Sequence, residues 1–160
     1  MKRVLVIGCP GAGKSTFSRK LSATTGLPVY YLDLIWHRPD RTNVSADEFD
    51  KSLEKILQAD KWIIDGNYLR TMSWRMQYCD TIFFDIPLDQ CLSGVRNRLG
   101  KPREDMPWID RELDEEFLQS ILDFPAHQTP MILRLLESFE GEIFWFKSRA
   151  EADAYIHSLK

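Results

Sequence analysis

Gly8, Cys9, Pro10, Gly11, Ala12, Gly13, Lys14 and Ser15 form a G-x-x-x-x-G-K-S run, with Thr16 directly after it. In such a run the glycines let backbone N–H groups converge on phosphate oxygens, and the helix that follows adds its positive N-terminal end. Lys14 is then expected to reach the β- and γ-phosphates, Ser15 to ligate Mg²⁺ through its hydroxyl, and Thr16 to contact the α-phosphate. Asp33 and Asp65 each close a short apolar run. Ligands of parallel α/β sheets bind beyond the carboxyl ends of the strands, so both aspartates are expected to face the phosphate loop. There one carboxylate would orient an acceptor hydroxyl and another would hold Mg²⁺ or its hydration shell, and either aspartate suits either role. Ser15 and Asp65 are the candidate metal ligands. Asp85 also ends an apolar run, but Ile86 and Pro87 follow at once and mark a structural connection.

Arg75, Arg98 and Arg103 carry guanidinium forks that match the oxygens of a phosphoryl group in transfer. Arg98 precedes and Arg103 lies within residues 100–110, a stretch with two prolines and no period, which reads as a loop and is the candidate lid. The catalytic candidates are therefore Lys14, Asp33, Asp65, Arg98 and Arg103, with Arg75 behind them. Cys9 occupies a variable position of the loop and reads as inert. His37, His127 and His157 are isolated, and Trp36 and Trp108 read as packing residues that would stack on a ring only if they lined the pocket.

The elements that must position these groups are legible in the hydrophobic pattern. Val4 to Ile7 is a short all-apolar run, as expected of a strand covered on both faces, and Val29 to Leu32, Trp62 to Ile64, Thr81 to Phe84 and Ile143 to Phe146 read as four more. Between them, Phe17 and Leu21 mark a helix stopped by Gly26 and Pro28. Ser45 to Glu48 is a capping box ahead of Phe49, Leu53, Ile56 and Leu57 at helical spacing. A helix is expected near residues 68–78, and another over 88–99, closed by Gly100. Residues 111–123 and 130–139 read as two helices, the second opened by Thr129 and Pro130 as N-cap and first residue. Ser148 to Glu151 is a second capping box, before Ala152, Tyr155, Ile156 and Leu159. Strands alternating with helices predict an α/β three-layer fold, a parallel sheet between helical layers.

The chain has 160 residues, enough for one well-packed domain over 1–160 and too few for two ordinary ones. A net charge of −3 lacks the basic excess that drives binding to a phosphate backbone, which argues against nucleic acid as a partner. Cys9, Cys79 and Cys91 form no C-x-x-C pair, which fits a reducing compartment. Neither a signal-peptide core nor a membrane-length apolar run is found, so the cytoplasm is the expected location.

The strand, phosphate loop and helix, with Asp33 and the segment Trp62 to Asn67, resemble the adenylate-kinase-like small P-loop kinases, in which an Asp-Gly pair ends the third strand. The narrower resemblance runs along nearly the whole chain. Leu32, Asp33, Trp36, Pro39, Asp65 to Tyr68, Arg75, Cys91, Leu92, Arg98, Arg103, Asp105, Met106, Pro125 and Pro130 to Leu133 are similar to the family named DNA topology modulation proteins. That resemblance implies a five-stranded parallel sheet of the P-loop NTPase type, binding of ATP or GTP with Mg²⁺, and a short lid. Gly94 and Thr129 stand where basic residues are expected. The function expected is an enzyme, a Mg²⁺-dependent kinase that moves the γ-phosphoryl group of ATP to a nucleoside, nucleotide or other small acceptor. The alternative is a nucleotide-dependent regulatory or DNA-associated protein, in which slow hydrolysis switches the lid.

Overall fold

The computed structural model describes residues 1–160, the side chain of Thr81 excepted. Five strands, β1 (Arg3–Gly8), β2 (Val29–Tyr31), β3 (Trp62–Asp65), β4 (Asp80–Phe84) and β5 (Ile143–Phe146), form one sheet in the order β2-β3-β1-β4-β5. Every pairing is parallel. The central strand β1 has Val4, Leu5, Val6 and Ile7 with no exposure at all, which is why its sequence does not alternate. The chain leaves β1 toward β2 and β3 on one side and later crosses to β4 and β5 on the other. The phosphate loop therefore leaves β1 at the topological switch point, where the adjoining connections diverge and open a crevice.

Seven helices connect and cover the strands: α1 (Lys14–Thr25), α2 (Leu32–Trp36), α3 (Ala46–Leu57), α4 (Leu69–Met76), α5 (Leu88–Asn97), α6 (Glu115–Glu137) and α7 (Arg149–Ser158). Both serines cap their helices: the Ser45 side chain accepts from Glu48 N, and Ser148 from Glu151 N, each at 3.1 Å. Helix α3 buries Phe49, Leu53, Ile56 and Leu57 as one stripe. Phe17 of α1 meets Phe84 edge-on at 5.3 Å, tying the helix after the phosphate loop to β4. No helix of the described residues is long and apolar enough to cross a membrane.

Three expectations are corrected. Strand β2 ends at Tyr31, and Leu32 opens the short helix α2, so Asp33 sits in a first helical turn, where its charge complements the helix dipole, rather than at a strand end. Helix α5 stops at Asn97 with Arg98 as its C-cap, which leaves Leu99 outside it. The two helices read at 111–123 and 130–139 are one, Glu115–Glu137, with Pro125 and Pro130 inside it and Asp114 as the N-cap. Each proline removes one helical hydrogen bond, at about 3 kcal/mol. Ile121, Phe124, Ile132 and Leu136 bury a single continuous face, worth about 1.5–3 kcal/mol per side chain, and hold the helix intact across both.

Candidate functional site

The phosphate loop is braced from behind by backbone that permits almost no side chain. A Cβ on Gly11 (φ +81°) would lie 2.0 Å from the Cys91 carbonyl oxygen, and one on Gly94 would lie 2.2 Å from the Gly11 carbonyl oxygen. Gly94, which the family resemblance marked as a missing basic residue, is thus where α5 touches the loop. Arg149, which sequence reasoning missed, donates from Nη2 to the carbonyls of Gly11 (2.8 Å) and Gln90 (3.0 Å) and from Nε to that of Ala12 (3.4 Å). Its place inside an ordinary capping box carried no signal of this. Lys14 Nζ donates to the carbonyls of Gly8 (2.8 Å) and Cys9 (3.1 Å), so the lysine lies along its own loop. A hydrogen bond with Cys91 first, and burial second, push the Cys9 thiol up, which suppresses its thiolate.

Asp65 pairs with Val6 across the sheet and lies buried beneath the loop, accepting from Ser18 Oγ at 3.0 Å. Burial raises its pKa to about 6 against the opposing pull of Lys14, and the charges of Asp105 and Asp33 add to the rise. Asp33 accepts a 2.6 Å hydrogen bond from Tyr68 Oη. Tyr68 has a left-handed backbone (φ +39°), uncommon for a bulky residue, and its ring stacks on Phe49 at 5.2 Å. Burial, then the Asp33 charge, push its hydroxyl well above the ordinary tyrosine range.

Arg75 supports that backbone from below. It is fully buried and donates to the carbonyls of Gly66, Asn67 and Tyr68, and burial pushes it down to about 9. It is therefore corrected from a phosphoryl-contact candidate to a support of the 66–68 turn. Asn67, whose amide braces Gly8 from the side, was legible only within the resemblance segment.

Residues 100–110 are irregular, as read, and are closed at the neck by Gly100 N donating to the Asp110 carbonyl at 2.7 Å. The segment lies across the start of α1: Ser15 Oγ donates to Asp105 Oδ2 at 3.1 Å, and Arg103 Nε stands 3.3 Å from Asp105 Oδ1. At its far end Trp108 meets the His37 ring edge-on at 5.1 Å, with the Arg41 guanidinium 4.9 Å over the indole. Arg98 is half-buried and its pKa is lowered, by burial first and by Arg103 second, while Asp105, Asp110 and Asp33 pull it up.

A cavity of about 390 Å³ opens between loop and segment. Gly11, Gly13, Lys14, Ser15, Thr16, Arg98, Arg103 and Asp105 line it. Gly8, Cys9, Pro10 and Ala12 form the loop behind, and Asp33 and Asp65 stand beside and beneath the cavity rather than on its wall. A larger open depression, about 1100 Å³, lies at the opposite end of the strands beside Lys2, Asp80 and Phe139. It has no phosphate-binding loop, so the smaller cavity is the site.

Among the described residues no three His, Cys, Asp or Glu side chains converge as a metal cage. Mg²⁺ takes few protein oxygens and keeps water and phosphate for the rest, so the Ser15 hydroxyl with one or two nearby carboxylates suits it.

No family model matches the chain, and no curated protein matches it. Solved structures do. The chain is similar to a shikimate kinase from Bacteroides thetaiotaomicron at 16% identity, covering 99% of this chain and 96% of that one with a TM-score of 0.67. It is similar to a sugar kinase from Janibacter at 17% identity, with 99% and 91% covered and a TM-score of 0.59. A deoxyadenosine kinase from M. mycoides is similar at 13% identity, with 98% of each chain covered and a TM-score of 0.55. At these identities the likeness establishes the fold, the five-stranded parallel α/β sheet of P-loop kinases.

Proposed function

We propose that the chain is a Mg²⁺-dependent P-loop kinase that transfers the γ-phosphoryl group of ATP, or GTP, to a hydroxyl of a small acceptor such as a nucleoside, a nucleotide or another hydroxylated metabolite. The observation that carries this reading is the cavity beside the phosphate loop, lined by Lys14, Ser15, Arg98 and Arg103 together. Structural neighbours named for shikimate, sugar and deoxyadenosine phosphorylation support the class, since all three act on hydroxyl-bearing small molecules. Its sequence resembles the DNA topology modulation proteins, and its charge of −3 gives no support to a nucleic-acid duty. In this reading residues 1–160 work as a single nucleotide-binding domain in the cytoplasm, with 100–110 as its lid.

The acceptor oxygen attacks the γ-phosphorus in line, the bond from phosphorus to the β,γ-bridging oxygen breaks, and the nucleoside diphosphate leaves with that electron pair. The acceptor proton passes to Asp33. Tyr68 holds Asp33 Oδ1, which leaves Oδ2 for the acceptor and fixes the carboxylate in one orientation. Lys14 turns from the Gly8 and Cys9 carbonyls to the phosphates, and Arg98 and Arg103 take up charge on the moving group. Ser15 and Asp65 would hold Mg²⁺, which would supply positive charge against the phosphates of the bound nucleotide.

The test is ATP consumption with Mg²⁺ against pooled nucleosides, nucleoside monophosphates and small hydroxylated metabolites, using the wild type, Lys14→Ala and Asp33→Ala. A pool that stimulates turnover in the wild type and in neither variant is the expected result. Turnover at background across every pool, from folded protein, would overturn it.

A further inference from the structure

The nucleotide reading accounts for Ser15 as a metal ligand and for Arg103 as a phosphate contact, but not for the carboxylate that lies between them. Asp105 Oδ2 accepts from Ser15 Oγ at 3.1 Å, Asp105 Oδ1 faces Arg103 Nε at 3.3 Å, and the two side chains are only 14% and 13% exposed. The Arg103 arrangement is incomplete. Its Nε and Nη1 are buried with no hydrogen-bond partner, the ion pair with Asp105 being too poorly aligned to serve as one. Each unpaired buried donor is unfavourable, so this guanidinium is set for a further anion beside the phosphate loop.

Resting on the kinase reading, the geometry points to Asp105 as a lid-borne metal ligand: Ser15 Oγ and Asp105 Oδ2 hold adjacent positions on the Mg²⁺ that enters with the nucleotide, while Arg103 turns its free donors to the phosphates. Mg²⁺ is octahedral with metal–oxygen distances of about 2.0–2.1 Å, so two neighbouring ligand oxygens stand about 2.9 Å apart. The present separation of 3.1 Å already matches such an edge. On metal binding the Ser15 proton no longer bridges the two oxygens, and the hydroxyl lone pair turns to the cation. Lid closure and metal loading thereby become one event, because the ligand at residue 105 is delivered by the same segment that carries Arg103.

The test is calorimetric binding of ADP to the full chain, once with excess EDTA and once with Mg²⁺, for the wild type, Ser15→Ala, Asp105→Asn and Asp105→Ala. Mn²⁺ affinity of each ADP complex is read separately by electron paramagnetic resonance. Asp105→Asn keeps the shape of the side chain, and thermal melting checks the fold of every variant. The expected result is that Mg²⁺ tightens ADP binding by the wild type and that this enhancement, with Mn²⁺ affinity, falls tenfold or more in both Asp105 variants, as in Ser15→Ala. Metal-free ADP affinity should be unchanged or stronger in them, because a negative charge has left the phosphate site. A full Mg²⁺ enhancement and wild-type Mn²⁺ affinity in Asp105→Asn would overturn the assignment and leave Asp105 as a latch on an empty site, with the nucleotide reading intact. A wild type that binds no ADP in either condition would overturn both.

Discussion

The side-chain amide of Asn67 closes on both backbone groups of Gly8: Gly8 N donates to Asn67 Oδ1 at 2.9 Å, and Asn67 Nδ2 donates to the Gly8 carbonyl at 2.8 Å. The end of β3 thereby holds the first residue of the phosphate loop, and Arg75 holds the residues around Asn67 in turn. Asn67→Ala takes this acceptor from the Gly8 N–H and leaves the Gly8 carbonyl to Lys14 alone, so a loss of about 1–3 kcal/mol in urea unfolding is expected. ADP affinity should fall about tenfold as the loop loses its preset shape, measured by calorimetry.

Gly94→Ala tests the contact between α5 and the loop. The new methyl group would stand 2.2 Å from the Gly11 carbonyl oxygen and 2.9 Å from Arg149 Nη2, so the loop or the helix must move. Overpacking of this kind costs about 1–3 kcal/mol. ADP affinity is expected to drop tenfold or more while circular dichroism stays native. Unchanged affinity would mean that the loop adapts without cost.

Tyr68→Phe removes the hydroxyl that orients Asp33 and leaves the ring on Phe49. A fall in kcat of about tenfold is expected, with ATP affinity retained. Asp33→Asn, which removes the proton acceptor, should lower kcat by about 10²–10⁴. Equal effects of both changes on ATP binding would instead place the pair in nucleotide recognition.

The buried Asp65 carboxyl sets a pH dependence of stability. Its pKa is raised to about 6 in the folded protein, so the folded state binds this proton more tightly than the unfolded chain does. Its contribution is therefore favourable below pH 4 and is lost as pH rises to about 6. At about 1.4 kcal/mol per pH unit the loss approaches roughly 3 kcal/mol by pH 7. Urea unfolding of metal-free protein should show Asp65→Asn gaining on the wild type between pH 4.5 and 7. A difference that stays constant over that range would count against it.

Local pattern accounts for the strands, the phosphate loop and most helices, because each of these is written within a few consecutive residues. Buried runs, glycines at fixed offsets and Ser-x-x-Glu boxes all carry their physics locally, and the five-stranded parallel sheet follows from their alternation. The local pattern splits helix α6 in two for the same reason: Pro130 is a local stop signal, and the face that overrides it is buried only by distant parts of the chain.

The sequence by itself determined that this chain has a phosphate-binding loop with Lys14 and Ser15 in place, and that Asp65 stands at the end of a strand, whereas Asp33 proved to lie in a helical turn. Tertiary structure decided which arginines meet the site: Arg75 turned inward to three carbonyls, Arg149 arrived from a helix more than a hundred residues away, and Arg103 came paired with Asp105. Nothing local distinguishes these side chains, since a guanidinium carries the same charge wherever it stands. Its partner is chosen by burial and by which backbone carbonyls the packed elements leave without a donor.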